Sequence, residues 1–502
     1  MVVEGTTHWM AEVAVSQEQE ANNINNASIV SKEAKSEEQN GESKKDEKPK
    51  TEESAEEKAK NGEEAGPALE RNGTFKEDSN LKEHEKQALS ELRSLLECAI
   101  HGNRLVVETN DRIEEEPEPS EKKKDKTSED EAAAGKEEME KDNTTPATLM
   151  VEERVGGEKD VRLWGVPLLP SKGERSTDVI LLKFLRAREF KVNEAFEMLK
   201  TTLQWRKEFK IESVLEEDFG AHLGSAFYIS GADREGRPVC YNLYGVFAGS
   251  DEMYRRTFGR EEKNEKFLRW RAQLMERAIQ KLDFGPGGVS SLFQINDLNK
   301  TPGPASKDLW LATKQAVSRL QDNYPELVAK NIFINVPFWY YAFSALVSPF
   351  FTQRTRNRVV FARPAKVTET LLRYIDVEQI PAQYGGFKRK NDTEFSGENE
   401  YLEFVVKASS SETIEFPAAK VGTSLVWDVT VVGWEVNYRE EFVPDDKGSY
   451  ALIVQRGRKI GCQEEAIRNS FTNKEPGKVV ITIDNDSYKK KRIIYRYKAK
   501  NV

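Results

Sequence analysis

The sequence predicts a multidomain protein: a disordered acidic N-terminal region, an α/β domain entered through a small helical subdomain, and a C-terminal all-β sandwich. Three observations carry this reading. Acidic, aromatic-poor composition fills residues 1–150, predicted strands and helices alternate from about Ser213 to Phe387, and period-two alternation with frequent glycines runs from Tyr401 onward.

The 502 residues, 37% hydrophobic and 32% charged, leave room for two or three domains, but the chain is too polar to fold throughout. The net charge of -10 conceals a division. Residues 1–150 hold about 21 basic and about 38 acidic side chains, so the remainder is mildly basic, near +7. An acidic tail therefore precedes a body suited to anionic surfaces. The three cysteines, Cys98, Cys240 and Cys462, are too scattered for a disulfide framework and predict a reducing compartment. Glu4 and His8 precede any apolar run, and no stretch is long enough to span a bilayer, so a cytoplasmic protein with peripheral membrane contact is expected.

Within the tail, Glu, Lys, Ser, Ala and Asn dominate, and such segments bury too little apolar surface to offset chain entropy. Over residues 81–100, however, Ala88, Leu89, Leu92, Leu95, Leu96 and Ala99 recur at helical spacing. A transient tail helix and a docking helix fit this stripe equally. Acidic residues around Thr127-Ser128-Glu129-Asp130 suit phosphorylation, which composition alone does not establish.

Order begins near Val161. Ser176, Thr177 and Asp178 offer N-caps for a helix with Val179, Leu181, Leu182, Phe184 and Leu185, and Asn193 offers a cap for a second with Ala195, Phe196, Leu199 and Leu203. Together they form a helical subdomain over 161–220. Strands follow at Ala226–Ser230 and Val239–Tyr244, then an amphipathic helix over Glu262–Leu282, a strand at Ser291–Ile295, a helix to Leu320, a strand around Ile332–Val336 and another at Arg358–Phe361. This alternation over 221–387 argues for a largely parallel sheet covered by helices. Lys388 to Asn399 is a polar linker. Residues 401–502 show short alternating strands with no long helix, as in a β-sandwich.

The α/β region is organised around Gln321 to Phe351. Pro325 ends a helix, Ile332 to Val336 form a core strand, and Pro337 opens a run carrying Phe338, Trp339, Tyr340, Tyr341, Phe343, Leu346, Val347, Phe350 and Phe351 with no charge before Arg354. On residues alone, this run is a buried core helix.

The order of these parts resembles the CRAL-TRIO family of lipid-exchange proteins. Leu182-Lys183-Phe184-Leu185-Arg186-Ala187-Arg188-Glu189-Phe190 and Gln204-Trp205-Arg206 are similar to its helical start, and Ile380-Pro381-Ala382-Gln383-Tyr384-Gly385-Gly386 to its closing motif. The C-terminal region, with Trp434-Glu435-Val436-Asn437-Tyr438, resembles a GOLD domain, and the whole arrangement resembles the plant patellin family. The resemblance implies that Phe338, Trp339, Tyr341, Phe343, Leu346, Val347, Phe350 and Phe351 belong to a movable gate helix over a lipid pocket. It implies headgroup contacts at Arg188, Glu326, Thr355 and Arg358, with Thr355 and Arg358 on phosphate and Glu326 on inositol hydroxyls. Many family members carry lysine where Arg358 stands, and arginine alters the geometry of the contact. Without the resemblance, Glu326 and Arg358 read as a structural ion pair.

A second basic site, Lys489, Lys490, Lys491 and Arg492, is expected in a hairpin loop beside Tyr488, suited either to solvent or to an anionic membrane. The function implied is a phosphoinositide-binding carrier or sensor in membrane trafficking and cell-plate formation, with trafficking proteins meeting the tail or GOLD domain. The alternative is a trafficking adaptor whose lipid pocket only localises it. An enzyme is not expected: His222 is the only histidine after His101, and neither a Walker loop nor a Gly-x-Ser-x-Gly elbow occurs. Cofactors and metals are not predicted, and no basic stripe points to nucleic acid.

Overall fold

A computed structural model describes residues 81–102, 105, 161–248, 251–301, 306–337, 358–395, 400–433, 435–461 and 464–501. The apolar stripe of the tail forms α1, Glu83–His101, which docks on the body. Ala88, Leu92, Leu96 and Ala99 are buried in one cluster with residues of α2 (Pro170–Ala187) and α3 (Val192–Glu208). Arg93 of α1 adds an ion pair to Asp178 of α2, Nε to Oδ1 2.5 Å. Helix α2 starts six residues before the expected caps because Pro170 takes its first turn, where a missing N–H costs nothing. Thr177 and Asp178 therefore lie inside the helix, and the Thr177 hydroxyl donates to the Pro167 carbonyl at 2.8 Å. Likewise α3 is preceded by Lys191 and takes Asn193 into its first turn.

The two-residue strands β1 (Arg162–Leu163) and β2 (Val166–Pro167) pair before α2. The five-stranded sheet then runs in simple order: β3 (Phe227–Ala232), β4 (Pro238–Leu243), β5 (Leu292–Asp297), β6 (Val328–Ile334) and β7 (Val359–Phe361). Only β3 and β4 are antiparallel, joined by the turn at Asp233–Arg237, while β4 to β7 are parallel. The crossovers from β4 to β5 and from β5 to β6 contain the long helices α4 (Glu261–Ile279) and α5 (Lys307–Asn323). One sheet face presents Val239, Tyr241, Phe293, Ile295, Ile332 and Ile334. The alternate residues Cys240, Asn242, Gln294, Asn296 and Asn331 occupy the other face.

Two four-stranded antiparallel sheets make the C-terminal sandwich. Their orders are β13-β10-β15-β8 and β12-β11-β14-β9, for β8 (Leu402–Val406), β9 (Ser410–Ala418), β10 (Thr423–Val432), β11 (Val436–Pro444), β12 (Leu452–Ile460), β13 (Ile467–Thr472), β14 (Gly477–Asn485) and β15 (Lys491–Asn501). Phe416, Trp427, Tyr438, Phe442, Ile481 and Ile493 fill the space between them. A carboxylate, Glu440, sits among them and is saturated by donors: Trp427 Nε1 at 3.0 Å, Tyr438 hydroxyl at 2.6 Å and Asn469 Nδ2 at 2.6 Å.

Part of the outer face of the β10 sheet is covered by the α/β unit. Val432, Ala466 and Ile494 join the same apolar cluster as the α/β sheet and the closing segment Ile375 to Phe387. Around them lies a charged seam. Asp428, fully buried, accepts from Arg468 Nε at 2.8 Å and from Arg496 Nε at 2.8 Å. Arg496 also donates to Glu378 Oε1 at 3.3 Å and to the Phe387 carbonyl at 3.2 Å, and its guanidinium lies 4.2 Å from the Phe395 ring centre. Asp392 accepts both terminal nitrogens of Arg468, at 2.8 and 2.7 Å. Burial acts to raise the Asp392 carboxyl, but Arg468 and the backbone N–H groups of Glu394 and Phe395 hold it down at about 2. The polar stretch after Phe387 thus packs into the seam as far as Phe395.

The seam predicts that the sandwich and α/β unit unfold together. Arg496→Ala, which leaves the buried Asp428 carboxylate with Arg468 but without its second guanidinium, is expected to cost about 1.5–3 kcal/mol in urea denaturation, and two independent transitions in the unmodified chain would disprove the coupling. Stability should also fall between deletion of residues 1–80 and deletion of 1–102, by on the order of 4 kcal/mol for the two α1 leucines alone. Equal denaturation midpoints for the two truncations would show that α1 contributes nothing.

Candidate functional site

The site begins where α5 runs out. Tyr324 and Pro325 end the helix, and Glu326 adopts φ +56°, a left-handed conformation that a non-glycine residue takes only when its surroundings impose it. Those surroundings are visible. The Tyr324 hydroxyl donates to Glu276 Oε1 at 2.6 Å, and Arg206 Nη1 donates to the same oxygen at 2.6 Å. Burial and the Glu276 carboxylate push the Tyr324 hydroxyl well above its ordinary range. Trp164 stacks on Tyr324 with ring centres 6.2 Å apart, and Trp205 meets it edge-on at 5.8 Å. Lys183 of α2 is 3% exposed and donates to the Glu326 carbonyl at 3.3 Å.

So held, the Glu326 carboxylate accepts from Arg358 Nη2, just before β7. The pair is asymmetric: the Glu326 side chain is 12% exposed and that of Arg358 35%. Two of the four expected headgroup residues therefore meet. Arg188 caps α2, half-buried, with Nη1 3.5 Å from the Ala187 carbonyl, and no hydrogen bond or ion pair joins it to Glu326 or Arg358 among the described residues. Its charge acts instead on Asp322 of α5, whose carboxyl burial raises and Arg188 pulls back. Thr355 and the expected gate residues from Phe338 to Phe351 lie outside the described residues.

Sequence reasoning missed Lys330. It lies over the Tyr374 ring at 5.4 Å, and its ammonium is lowered by burial, then by Arg237, with Arg358 adding to the effect. Position in the strand could have marked it, since Lys330 is the one cation within Val328–Ile334. The buried Lys183 carried no such signal.

The basic run near the C-terminus splits. It does not sit in a hairpin, because β14 and β15 belong to different sheets and residues 486–490 cross between them. Lys489 and Lys490 are exposed there, with Lys489 Nζ 5.4 Å from the ring of the 83% exposed Tyr488. Lys491 is already in β15 and fully buried, so it cannot reach a membrane surface as expected. Strand alternation turns it inward with Ile493, while Arg492 points outward and pairs with Glu403 of β8.

Among the described residues, no helix is long and apolar enough to cross a membrane, and no group of His, Cys, Asp and Glu is arranged to hold a metal ion.

Comparison with known proteins finds three domain matches, the first beginning within the acidic segment expected to be a tail. Residues 116–201 match the CRAL/TRIO N-terminal domain, 223–386 the CRAL/TRIO domain, and 407–491 the Patellin-1-like C-terminal GOLD domain. Patellin-4 of Arabidopsis thaliana is 60% identical over 343 residues, covering 68% of this chain and 62% of its own. The chain thus spans less than two thirds of that relative's length. Patellin-3 of the same plant is 48% identical over 346 residues, covering 68% of this chain and 70% of its own. The phosphatidylinositol transfer protein SFH5 of Meyerozyma guilliermondii is 37% identical over 170 residues, or 32% of this chain and 49% of its own. With its domains in this order and this degree of identity, the chain belongs to the patellin family.

Proposed function

We propose that the protein is a lipid-binding carrier or sensor of phosphoinositides that works at anionic membranes in membrane trafficking and, as its family suggests, in cell-plate formation. The observation that carries this reading is the asymmetric Glu326–Arg358 pair. A carboxylate fixed from behind by its backbone holds a guanidinium that still faces solvent. A lipid phosphate is a better partner for that guanidinium than water, because it accepts two parallel charge-assisted bonds. When phosphate takes Arg358, the carboxylate is released to accept from inositol hydroxyls. The likeness over 170 residues to a protein named for phosphatidylinositol transfer supports this choice of cargo.

A carrier is needed because a two-chain lipid has ~30 methylenes, and moving them through water costs on the order of 20 kcal/mol at about 0.8 kcal/mol each. In this reading the apolar run from Phe338 to Phe351 supplies the gate, Thr355 adds a hydroxyl to the phosphate site, Arg188 stands near the mouth, and Lys489 and Lys490 dock the sandwich on the membrane.

Arg358→Ala is expected to reduce capture of phosphatidylinositol from vesicles by about 10- to 100-fold, the range of a charged hydrogen bond, with the melting temperature little changed. Undiminished capture, read by mass spectrometry of lipid recovered with the protein, would refute the headgroup assignment. Changing Lys489 and Lys490 together to Ser should weaken sedimentation with anionic vesicles by about 1 kcal/mol per residue at low salt, and less as salt shortens the Debye length. Pelleting equal to the unmodified protein at every salt concentration would leave the two lysines as solvated loop charges.

A further inference from the structure

At the carboxyl ends of the parallel strands, where open α/β sheets place their ligands, lies a cavity of about 330 Å³. Asp297 at the end of β5 and Asn335 just after β6 line it with Lys300, Gln383 and Tyr384, and Glu464 of the sandwich closes one side. The Glu326–Arg358 pair stands at the other ends of these strands, about 23 Å away along β6. The cavity has room for a small molecule but not for a two-chain lipid.

Asp297 is 9% exposed and forms no ion pair among the described residues. Neutral donors hold it: the Tyr384 hydroxyl at 2.8 Å on Oδ2, and Asn335 Nδ2 at 2.7 Å with the Asn299 backbone N–H at 2.9 Å on Oδ1. Burial and the Asp297 charge push the Tyr384 hydroxyl far above its ordinary range, so it remains a donor. A carboxylate accepts about four hydrogen bonds, which leaves a position open on Oδ2. Because a carboxylate only accepts, it also orients its neighbour: Asn335 must give Asp297 its nitrogen and turn Oδ1 away. Gln383 gives its Nε2 to the Tyr228 hydroxyl at 3.1 Å and likewise keeps Oε1 free. Neither amide oxygen accepts a hydrogen bond among the described residues. One side of the cavity thus collects three acceptors, one of them a buried charge without a counter-ion.

Lys300 lines the same cavity with the opposite charge. It is exposed, is set at φ +53°, and makes no hydrogen bond or ion pair among the described residues. Glu464 does not take it, because that carboxylate already accepts from Arg458 and from the Gly461 N–H at 2.8 Å. A carboxylate and an ammonium therefore share one cavity without meeting. A polyol would satisfy the acceptors and leave both charges unpaired. A zwitterion answers both, since an ammonium brings three donors and an acid group pairs with lysine. We propose that this cavity binds a small free zwitterion of amino-acid size, its ammonium held by Asp297, Asn335 and Gln383 and its acid group by Lys300. With Glu464 in the wall, the site is complete only while the sandwich is packed on the α/β unit.

The test is isothermal titration calorimetry of the full chain with each of the twenty common amino acids and phosphoethanolamine in turn. At least one should bind saturably, and its two single-charge analogues, the amine without the acid group and the acid without the amine, should each bind about tenfold more weakly, the worth of a charge-assisted hydrogen bond. Lys300→Met removes an exposed, unpaired charge, so the melting temperature should hold while zwitterion binding falls about tenfold and binding of the amine analogue is unchanged. Asn335→Gly, which retains the left-handed backbone at φ +54°, should weaken zwitterion and amine alike by about fivefold. The proposal is overturned if no compound binds the unmodified chain saturably, if the single-charge analogues bind as well as the zwitterion, or if Lys300→Met binds it undiminished. Lipid capture plays no part in these readouts, so failure here leaves the carrier reading standing.

Discussion

Tyr324 is the point on which the site depends. Its hydroxyl shares a single oxygen of Glu276 with Arg206, so one buried carboxylate ties the end of α5 to both α3 and α4. Burial alone would drive the Arg206 guanidinium toward neutrality, and the Glu276 charge more than reverses that. A pair of this kind adds little net stability over an apolar substitute, but it is strict about geometry. That strictness forces Glu326 into its left-handed conformation and aims it at Arg358.

A similar logic joins the two halves of the molecule. An isolated sandwich would have no reason to place Asp428, Arg468 and Arg496 together on one outer face. Covered by the closing segment of the α/β unit, these groups have their partners and two phenylalanine rings. The sandwich therefore buttresses the same sheet that carries the Glu326–Arg358 pair just before β6 and β7. Ile494 and Val432 pack the sandwich into the apolar cluster on that sheet.

The α/β unit holds two polar systems. Glu326 and Arg358 form an ion pair just before β6 and β7, while Arg271, Asn242, Asn296 and Asn331 make a hydrogen-bonded row across β4 to β6 that Gln294 joins through Asn296 Oδ1.

Much of this architecture was legible in the chain itself, because local rules govern it. Helical spacing found α1, the β-branched and aromatic run Ile332 to Val336 found β6, Pro325 marked the end of α5, and the alternation of elements implied a mostly parallel sheet. Residue-level resemblance reached the Glu326–Arg358 pair, though not the reason Glu326 is held there. What tertiary structure decided were the matters of partnership. No local signal says that β14 and β15 join different sheets, that Lys491 therefore faces inward, that Leu92 and Leu96 have a surface to cover, or that three asparagines separated by 54 and 35 residues align in one row. Periodicity reports which face of an element is apolar; only packing determines what that face meets, and a polar side chain acquires its meaning from the group it is packed against.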